Sequence, residues 1–528
     1  AAGAGGMAPP SILHFVVLLL ENHAADNLFG CMGLEGFDGI RAGHTLPVDP
    51  DDPSKGVVHV SCGSAPYVCT NAPGYDTFAS KFPLNGSNPH SYPYSEQDDR
   101  YSAPRGARSG STSVQMFAPE QIPVKAALAK EFGVFNRLYT AVPSASSPNH
   151  LFAQSATSCG MTANVLYDDC GGSTVTFPQK TIFDSLKSHG VSFGFYLNST
   201  CGTDENPCHG EDPHNPDSAS AINTPDVAME GVGRHKDRFF SQELFYHQAA
   251  SGTLPRLVWL HPPIQACDHP CHDIAKGERF LKDIYEALRA GPNWHRTVFF
   301  VAYDDAGGFY DHVVPPSEGV PSDDSPCHIP GSHSRCGPAF DFRRLGLRTS
   351  AMLISPWVPK GSVFQRPTGP TPTSEFELTS IPATVKRLFN LSVFLTARDA
   401  WAGSFDELLQ TTRPRDDTPI HLPDAPLPSR PWDPPPQKDI GSPSEMPRTL
   451  ILDRFDAVNS RPQHCSSIHG GEREMECAGP GVANLKQQRS IRLLASLTDT
   501  LQPNIEELSV TEADAWILRA WRRYMLQY

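Results

Sequence analysis

Nine residues near the start, Ile12-Leu-His-Phe-Val-Val-Leu-Leu-Leu20, constrain the fold more than any other stretch. The run shows no polar alternation, so it has no face to offer water. It is broken by His14, closed by Glu21 and too short to cross a bilayer as a helix. What remains is a strand covered on both faces, which belongs in a parallel sheet with helices above and below. Arg256–Leu260, Val298–Ala302 and Ala351–Ser355 share this character, and Phe193–Leu197 does so more weakly. Helical patterns lie between these runs. Gln121–Phe132 has apolar residues at helical spacing, and Thr181–Ser188 stops at His189-Gly190. Ile274–Ala290 sets Phe280, Leu281, Ile284, Tyr285 and Leu288 against a charged face. Alternating strands and helices predict an α/β fold with a doubly wound, mostly parallel sheet.

Two regions fall outside this alternation. Residues 40–115 are rich in Gly, Pro, Ser and Asp and read as a long surface insertion within a main domain spanning 11–411. Prolines recur through 412–447 and predict an extended linker. The remaining 448–528 carry helical patterns at Val482–Leu501 and Thr511–Leu526, expected to form a small C-terminal helical appendage.

The formal net charge of -15 disfavours nucleic acid, whose binders rely on phosphate attraction, and capture by an anionic membrane. Peripheral contact with a zwitterionic lipid surface stays open, and no transmembrane segment is expected. The 13 cysteines fall largely into near neighbours: Cys62/Cys69, Cys159/Cys170, Cys201/Cys208, Cys267/Cys271, Cys327/Cys336 and Cys465/Cys477, with Cys31 left over. Short loops of this kind suit disulfides in an oxidising compartment, although zinc is the rival use of such residues. Three glycosylation triplets, beginning at Asn85, Asn198 and Asn390, fit the same secretory route. The opening Ala1-Ala-Gly-Ala-Gly-Gly6 has neither a basic nor an apolar leader region, so any leader is expected to have been removed or left out. The expected location is secreted or in a secretory lumen.

Ligands in open α/β sheets bind at the carboxyl ends of the strands. Two of the predicted strands end there in acids: one runs into Glu21-Asn22, the other into Tyr303-Asp304-Asp305 before Gly307-Gly308. If the strands are neighbours, three carboxylates and an amide converge and repel one another unless a divalent cation joins them. Asp304 and Asp305 are equally suited to capping a following turn. A third segment, Ala141-Val-Pro-Ser-Ala-Ser-Ser-Pro-Asn-His150, supplies hydroxyls beside a proline-fixed turn. Coordination to a metal is one way to activate such a hydroxyl as a nucleophile. His269 and His272, in Asp268-His-Pro-Cys-His-Asp273, and His90, in Asn88-Pro-His-Ser91, are candidates to handle protons or phosphoryl oxygens. Surface-loop histidines, and zinc bound by Cys267, His269, Cys271 and His272, are the competing readings.

Together these segments resemble the phosphoesterase family of bacterial phospholipases C and acid phosphatases, and the plant-type non-specific phospholipases C in particular. Glu21-Asn-His-Ala-Ala-Asp-Asn-Leu-Phe-Gly30 resembles the opening E-N-x-S-x-D-x-x-x-G, and Val142–His150 resembles V-P-A-S-T-x-P-N-R. Asp268–Asp273 is similar to D-H-P-S-H-D, and Tyr303–His312 to Y-D-E-H-G-G-F-Y-D-H. Ile354-Ser-Pro-Trp357, Thr379–Ala383 and Arg398–Gly403 extend the likeness. The resemblance implies an alkaline-phosphatase-like core and one divalent metal ion of unknown identity. It implies Glu21, Asn22, Ser146, Asp304 and Asp305 as ligands, Ser146 as nucleophile, and His269, His90 and His272 near the phosphoryl group. Asp305 stands where the pattern has Glu, Ala306 where it has His, His150 where it has Arg, and Ala24 where it has Ser.

The expected activity is metal-dependent phosphoester hydrolysis. The first expectation is a phospholipase C that splits glycerophospholipids into diacylglycerol and a phosphorylated head group through a phosphoseryl intermediate. A secreted acid phosphatase acting on soluble monoesters is the alternative within enzymes. A secreted glycoprotein of the same fold with weakened catalysis, to which Ala306 would contribute, is the alternative outside them.

Overall fold

The computed structural model describes residues 12–40, 43–47, 54, 56–68, 114–161, 177–197, 229–270, 272–323, 341–410 and 412–428. The helical appendage, most of the proline-rich linker, much of the predicted insertion and His90 lie outside the described residues.

An eight-stranded sheet organises the chain. Its strands are β1 (His14–Leu20), β2 (Gly133–Phe135), β3 (Phe193–Leu197), β4 (Phe239–Ser241), β5 (Leu257–Leu260), β6 (Thr297–Tyr303), β7 (Ala351–Ile354) and β8 (Ser362–Phe364). They lie in the order β8-β2-β7-β6-β1-β5-β3-β4. Every pairing is parallel except the two made by β7, which runs against both β6 and β2. The doubly wound, mostly parallel reading holds. The apolar run at Ala351 reports cover on both faces and says nothing of strand direction, because helices above and below bury an antiparallel strand just as fully.

β1 is buried at every position, and its side chains divide between two cores. Phe15, Val17 and Leu19 join the core under α2 (Ser146–Ser155), α3 (Ile182–Ser188) and α6 (Ser380–Leu388). Val16, Leu18 and Leu20 face α1 (Pro123–Glu131), α4 (Gln242–Ser251) and α5 (Ile274–Ala290). The strand period of two therefore feeds one sheet into two helical layers. α1 opens with proline at its first position, and α3 is started by a Thr181–Asp184 capping box. α5 begins and ends where its pattern does.

The cysteine pairing departs from expectation. Cys31 is not left over: it is joined to Cys62, with Cα atoms 5.8 Å apart, so the Cys62/Cys69 pairing is wrong. Cys62 lies in Ser61–Cys62, which pairs with Gln115–Met116 beside the helical turn Asp26–Gly30, and that contact brings it to Cys31. Cys267 carries a buried thiol rather than a bond to Cys271. Cys159 is disulfide-bonded.

Candidate active site

Strand register builds the site. Leu20 at the end of β1 lies opposite Tyr303 at the end of β6, so the next residues, Glu21 and Asp304, leave the sheet side by side. The backbone N–H of Asp304 donates to Leu20 O at 3.0 Å, and that of Asn22 to Asp304 Oδ1 at 3.0 Å. Asn22 takes a left-handed backbone, φ 66°, a conformation Asn tolerates better than most residues. The turn after β6 folds tightly against it, and the Gly307 N–H donates to Asp305 Oδ1 at 2.6 Å. A Cβ on Gly307 would fall 2.2 Å from Asn22 O, so no other residue fits there.

Ser146 arrives from a different direction. It is the first residue of α2, where the helix dipole favours negative charge. Asn149 holds the preceding turn: its Oδ1 accepts from the Val142 N–H at 3.2 Å and its Nδ2 donates to Ser144 O at 3.0 Å and Ala145 O at 3.1 Å. The Ser146 hydroxyl then sits 3.0 Å from Asp305 Oδ2, 3.2 Å from Asn22 Oδ1 and 3.4 Å from Glu21 Oε2. A hydroxyl has one proton and can satisfy one such acceptor at a time.

The five side chains named from the sequence as ligands thus meet, buried, at one point. Burial, followed by the Asp304 charge, pushes the Glu21 carboxyl up to about 7. Burial and then the charges of Asp304 and Glu21 push Asp305 well above the usual carboxylate range. Asp304 goes the other way. Burial raises it, but the neighbouring His150, with Ser146 and the Asn22 N–H, more than offsets that. Aspartate in place of glutamate at 305 costs no reach to Ser146, and Ala306 packs into the apolar core.

Oxygens of two or three carboxylates, an amide and a hydroxyl are the donor set of a divalent cation. Donors held by one ion at about 2.1 Å stand roughly 3.0–3.4 Å from each other. The Ser146 contacts have that spacing, so the residues fit a metal. A second cluster does not. Asp26, Asp311 and His312 are also close enough to share an ion. There the Arg348 guanidinium already bonds Asp311 at 2.9 Å and Asp26 at 3.1 Å.

His269 and His272 lie on the loop after β5, partly exposed. The Glu21 N–H donates to Cys267 O at 2.7 Å, which draws this loop to the end of β1. His269 lies within electrostatic reach of Asp304, and burial, then His272, push its ring down to about 4. A neutral ring donating from Nδ1 to Pro270 O, at 2.6 Å, presents the Nε2 lone pair. His272 Nδ1 is 3.6 Å from the Cys267 sulfur. Behind the loop, Asp268 is anchored by Lys125 at 3.1 Å and by the Tyr303 hydroxyl at 2.5 Å, all buried. A side chain at Gly277 would collide with that carboxylate. Cys267, His269 and His272 are not among the groups of described residues close enough to share an ion, and Cys271 lies outside the described residues.

His150, a departure from the family pattern in the sequence, belongs here as well. His150 Nε2 is 3.5 Å from Asp304 Oδ2 and 3.7 Å from Glu21 Oε1. Its signal was present: it follows Ser146 by four positions, one helical turn.

Comparison with known proteins gives concordant results. The sequence profile of the Phosphoesterase family matches residues 12–392. Non-specific phospholipase C1 of Arabidopsis thaliana is 37% identical over 441 residues, 79% of this chain and 74% of its own. Non-hemolytic phospholipase C of Burkholderia pseudomallei is 24% identical over 387 residues, 66% of this chain and 52% of its own. A Vibrio parahaemolyticus protein of the alkaline phosphatase superfamily overlaps 53% of this chain and 63% of its own at 14% identity and a TM-score of 0.28, too loose to carry weight.

Proposed function

The chain belongs to the phosphoesterase family, and from that premise we propose that it is a phospholipase C. In this reading it cleaves glycerophospholipids to diacylglycerol and a phosphorylated head group, with Ser146 as the nucleophile. The observation that carries the reading is the convergence of Glu21, Asn22 and Asp305 oxygens on the Ser146 hydroxyl.

Glu21, Asn22, Ser146, Asp304 and Asp305 would hold one divalent cation, whose positive charge lowers the pKa of the hydroxyl and stabilises phosphoryl oxygens. In the first step Ser146 loses its proton and Oγ bonds to phosphorus. The bond from phosphorus to the glycerol oxygen breaks, and that oxygen takes up a proton as diacylglycerol leaves. In the second step the oxygen of water bonds to phosphorus, the bond from phosphorus to Oγ breaks, and Oγ takes up a proton from that water. Ser146 is restored and the phosphorylated head group is freed. The amino end of α2 favours the negative charge that develops at Oγ. His269, on the loop drawn to the end of β1 by the Glu21–Cys267 bond, is the candidate to hydrogen-bond a phosphoryl oxygen or the attacking water.

Two further parts of the reading concern surroundings. A protein of this charge meets a zwitterionic lipid surface without electrostatic capture, and no described helix is long and apolar enough to cross a membrane. The Cys31–Cys62 disulfide supports a secretory compartment.

The test compares diacylglycerol release from phosphatidylcholine vesicles with hydrolysis of p-nitrophenyl phosphate. The wild type should favour the vesicles, and Ser146→Ala should lower their turnover by at least about 10³-fold while the protein stays folded. Substantial residual activity removes Ser146 from the role. Preference for the aryl phosphate replaces the phospholipase with a phosphomonoesterase.

A further inference from the structure

We propose that His150 is a nitrogen ligand of the same metal site, making it a mixed oxygen and nitrogen site that selects zinc-class ions over magnesium or calcium. The inference rests on the cation site proposed above and concerns which ion it takes.

Three observations carry it. Donor atoms of Glu21, His150 and Asp304 all lie within 4.8 Å of one another, and all three residues are buried. The His150 Nε2 distances of 3.5 and 3.7 Å are long for good N–H···O bonds. They exceed by only a few tenths of an ångström the roughly 3.0–3.4 Å that separates two ligands of one ion. Finally, His150 and Ser146 stand one turn apart on α2, a helix buried along its whole length. Whatever fixes the hydroxyl at the site fixes the imidazole at the same point.

The chemistry of the donor set then decides the ion. A site of carboxylate, amide and hydroxyl oxygens suits hard cations such as magnesium and calcium. Adding a neutral imidazole shifts preference toward zinc and its neighbours, which bind nitrogen more strongly. His150 also brings no charge, so three carboxylates face the divalent ion and excess negative charge is small. Arginine, which the related motif has at this position, cannot act as a ligand at all.

The experiment uses the full chain stripped of metal. Zn²⁺ and Mg²⁺ affinities are measured by calorimetry for the wild type, His150→Gln and Glu21→Gln. Pulsed electron paramagnetic resonance of the Cu²⁺-loaded proteins reads imidazole nitrogen at the ion directly. The wild type should hold Zn²⁺ at least about 100-fold tighter than Mg²⁺. His150→Gln should lose roughly 10- to 100-fold in Zn²⁺ affinity with Mg²⁺ affinity nearly unchanged, and its nitrogen signal should weaken. Unchanged Mg²⁺ binding also shows that the variant is folded at the site. Should His150→Gln match the wild type in Zn²⁺ affinity and nitrogen signal while Glu21→Gln weakens both ions, the histidine is no ligand and the cation site stands. If the wild type binds neither ion, the cation site itself is wrong and this inference falls with it.

Discussion

Two buried acid clusters grow from the same two stretches of chain and end differently. Glu21 and Asp26 sit in one stretch, Asp304, Asp305 and Asp311 in the other. Asp26 and Asp311 close on Arg348, a fully buried guanidinium that also donates to Asp38 O and Asn136 O. Glu21 and Asp304 close on Ser146 and His150, and among the described residues no lysine or arginine is ion-paired with them. Proximity of carboxylates therefore does not define a metal site. One cluster carries its counter-charge in the chain, while in the reading proposed above the other takes its counter-charge from a bound cation. The first ties the two stretches together so that the second can stay open.

The largest effect should come from removing the built-in charge. Arg348→Met leaves Asp26 and Asp311 buried without their cation, a loss of about 3–5 kcal/mol in denaturant unfolding. Excess Zn²⁺ or Mg²⁺ should not restore it. Recovery with metal would make the clusters interchangeable and break the distinction. The next effect concerns the open cluster. Chelation should abolish turnover and lower stability by about 2.7 kcal/mol relative to protein in cation at 100 times its Kd. Returning the cation should reverse both. A chelator that changes neither activity nor stability would place the charge balance of that cluster within the chain.

How much of this could be read from sequence depends on whether the signal was local. β1 and β6 announced themselves as apolar runs, and their terminal acids identified Glu21, Asn22, Asp304 and Asp305 before any pairing was known. The turn at 141–150 is legible because proline and serine mark it, but which of its serines meets the acids comes only from the family resemblance. The direction of β7 is not legible, because burial on both faces looks the same in either direction. Arg348 gives no signal at all: it lies 322 residues from Asp26, and nothing around it hints at a buried ion pair. Lys125 is equally silent, a lysine within the α1 pattern that is nonetheless buried against Asp268 and Glu278. The cysteines misled for the opposite reason. Close spacing suggested neighbours, whereas contact of Ser61–Cys62 with Gln115–Met116 carried Cys62 to Cys31.

Proton linkage separates the clusters on a smaller scale. Without cation, Glu21 titrates near 7 in the folded protein against an ordinary value of 4.5, raised first by burial and then by Asp304. Between those values the folded state holds more protons than the unfolded one, so stability falls as pH rises. Asp305, raised further by burial and by its acidic neighbours, adds to that slope. Asp311, pushed up to about 6 mainly by burial, contributes similarly but independently of cation. The difference between cation-loaded and metal-free stability removes Asp311 and isolates the open cluster. That difference should widen between pH 4.5 and 7 by about 1.4 kcal/mol per pH unit for one displaced proton. A difference that stays flat would show that the cation displaces no proton there.

The smallest effect tests the closed cluster at its edge. His312 bonds Asp26 Oδ2 at 2.6 Å and reaches Asp38 at 3.3 Å from a partly exposed position. Burial lowers its pKa, but the bond and charge of Asp26, with Asp311 behind, raise it above 6.5 on balance. A histidine so raised adds stability below its unfolded value and loses that contribution as pH climbs through its folded one. Solvent screening keeps the amount small, so His312→Gln should cost about 0.5–1 kcal/mol at acid pH. The cost should shrink at alkaline pH, where the wild-type ring is neutral. An equal cost at both ends of the range would mean that His312 acts through a neutral hydrogen bond. The closed cluster would then draw its balance from Arg348 alone.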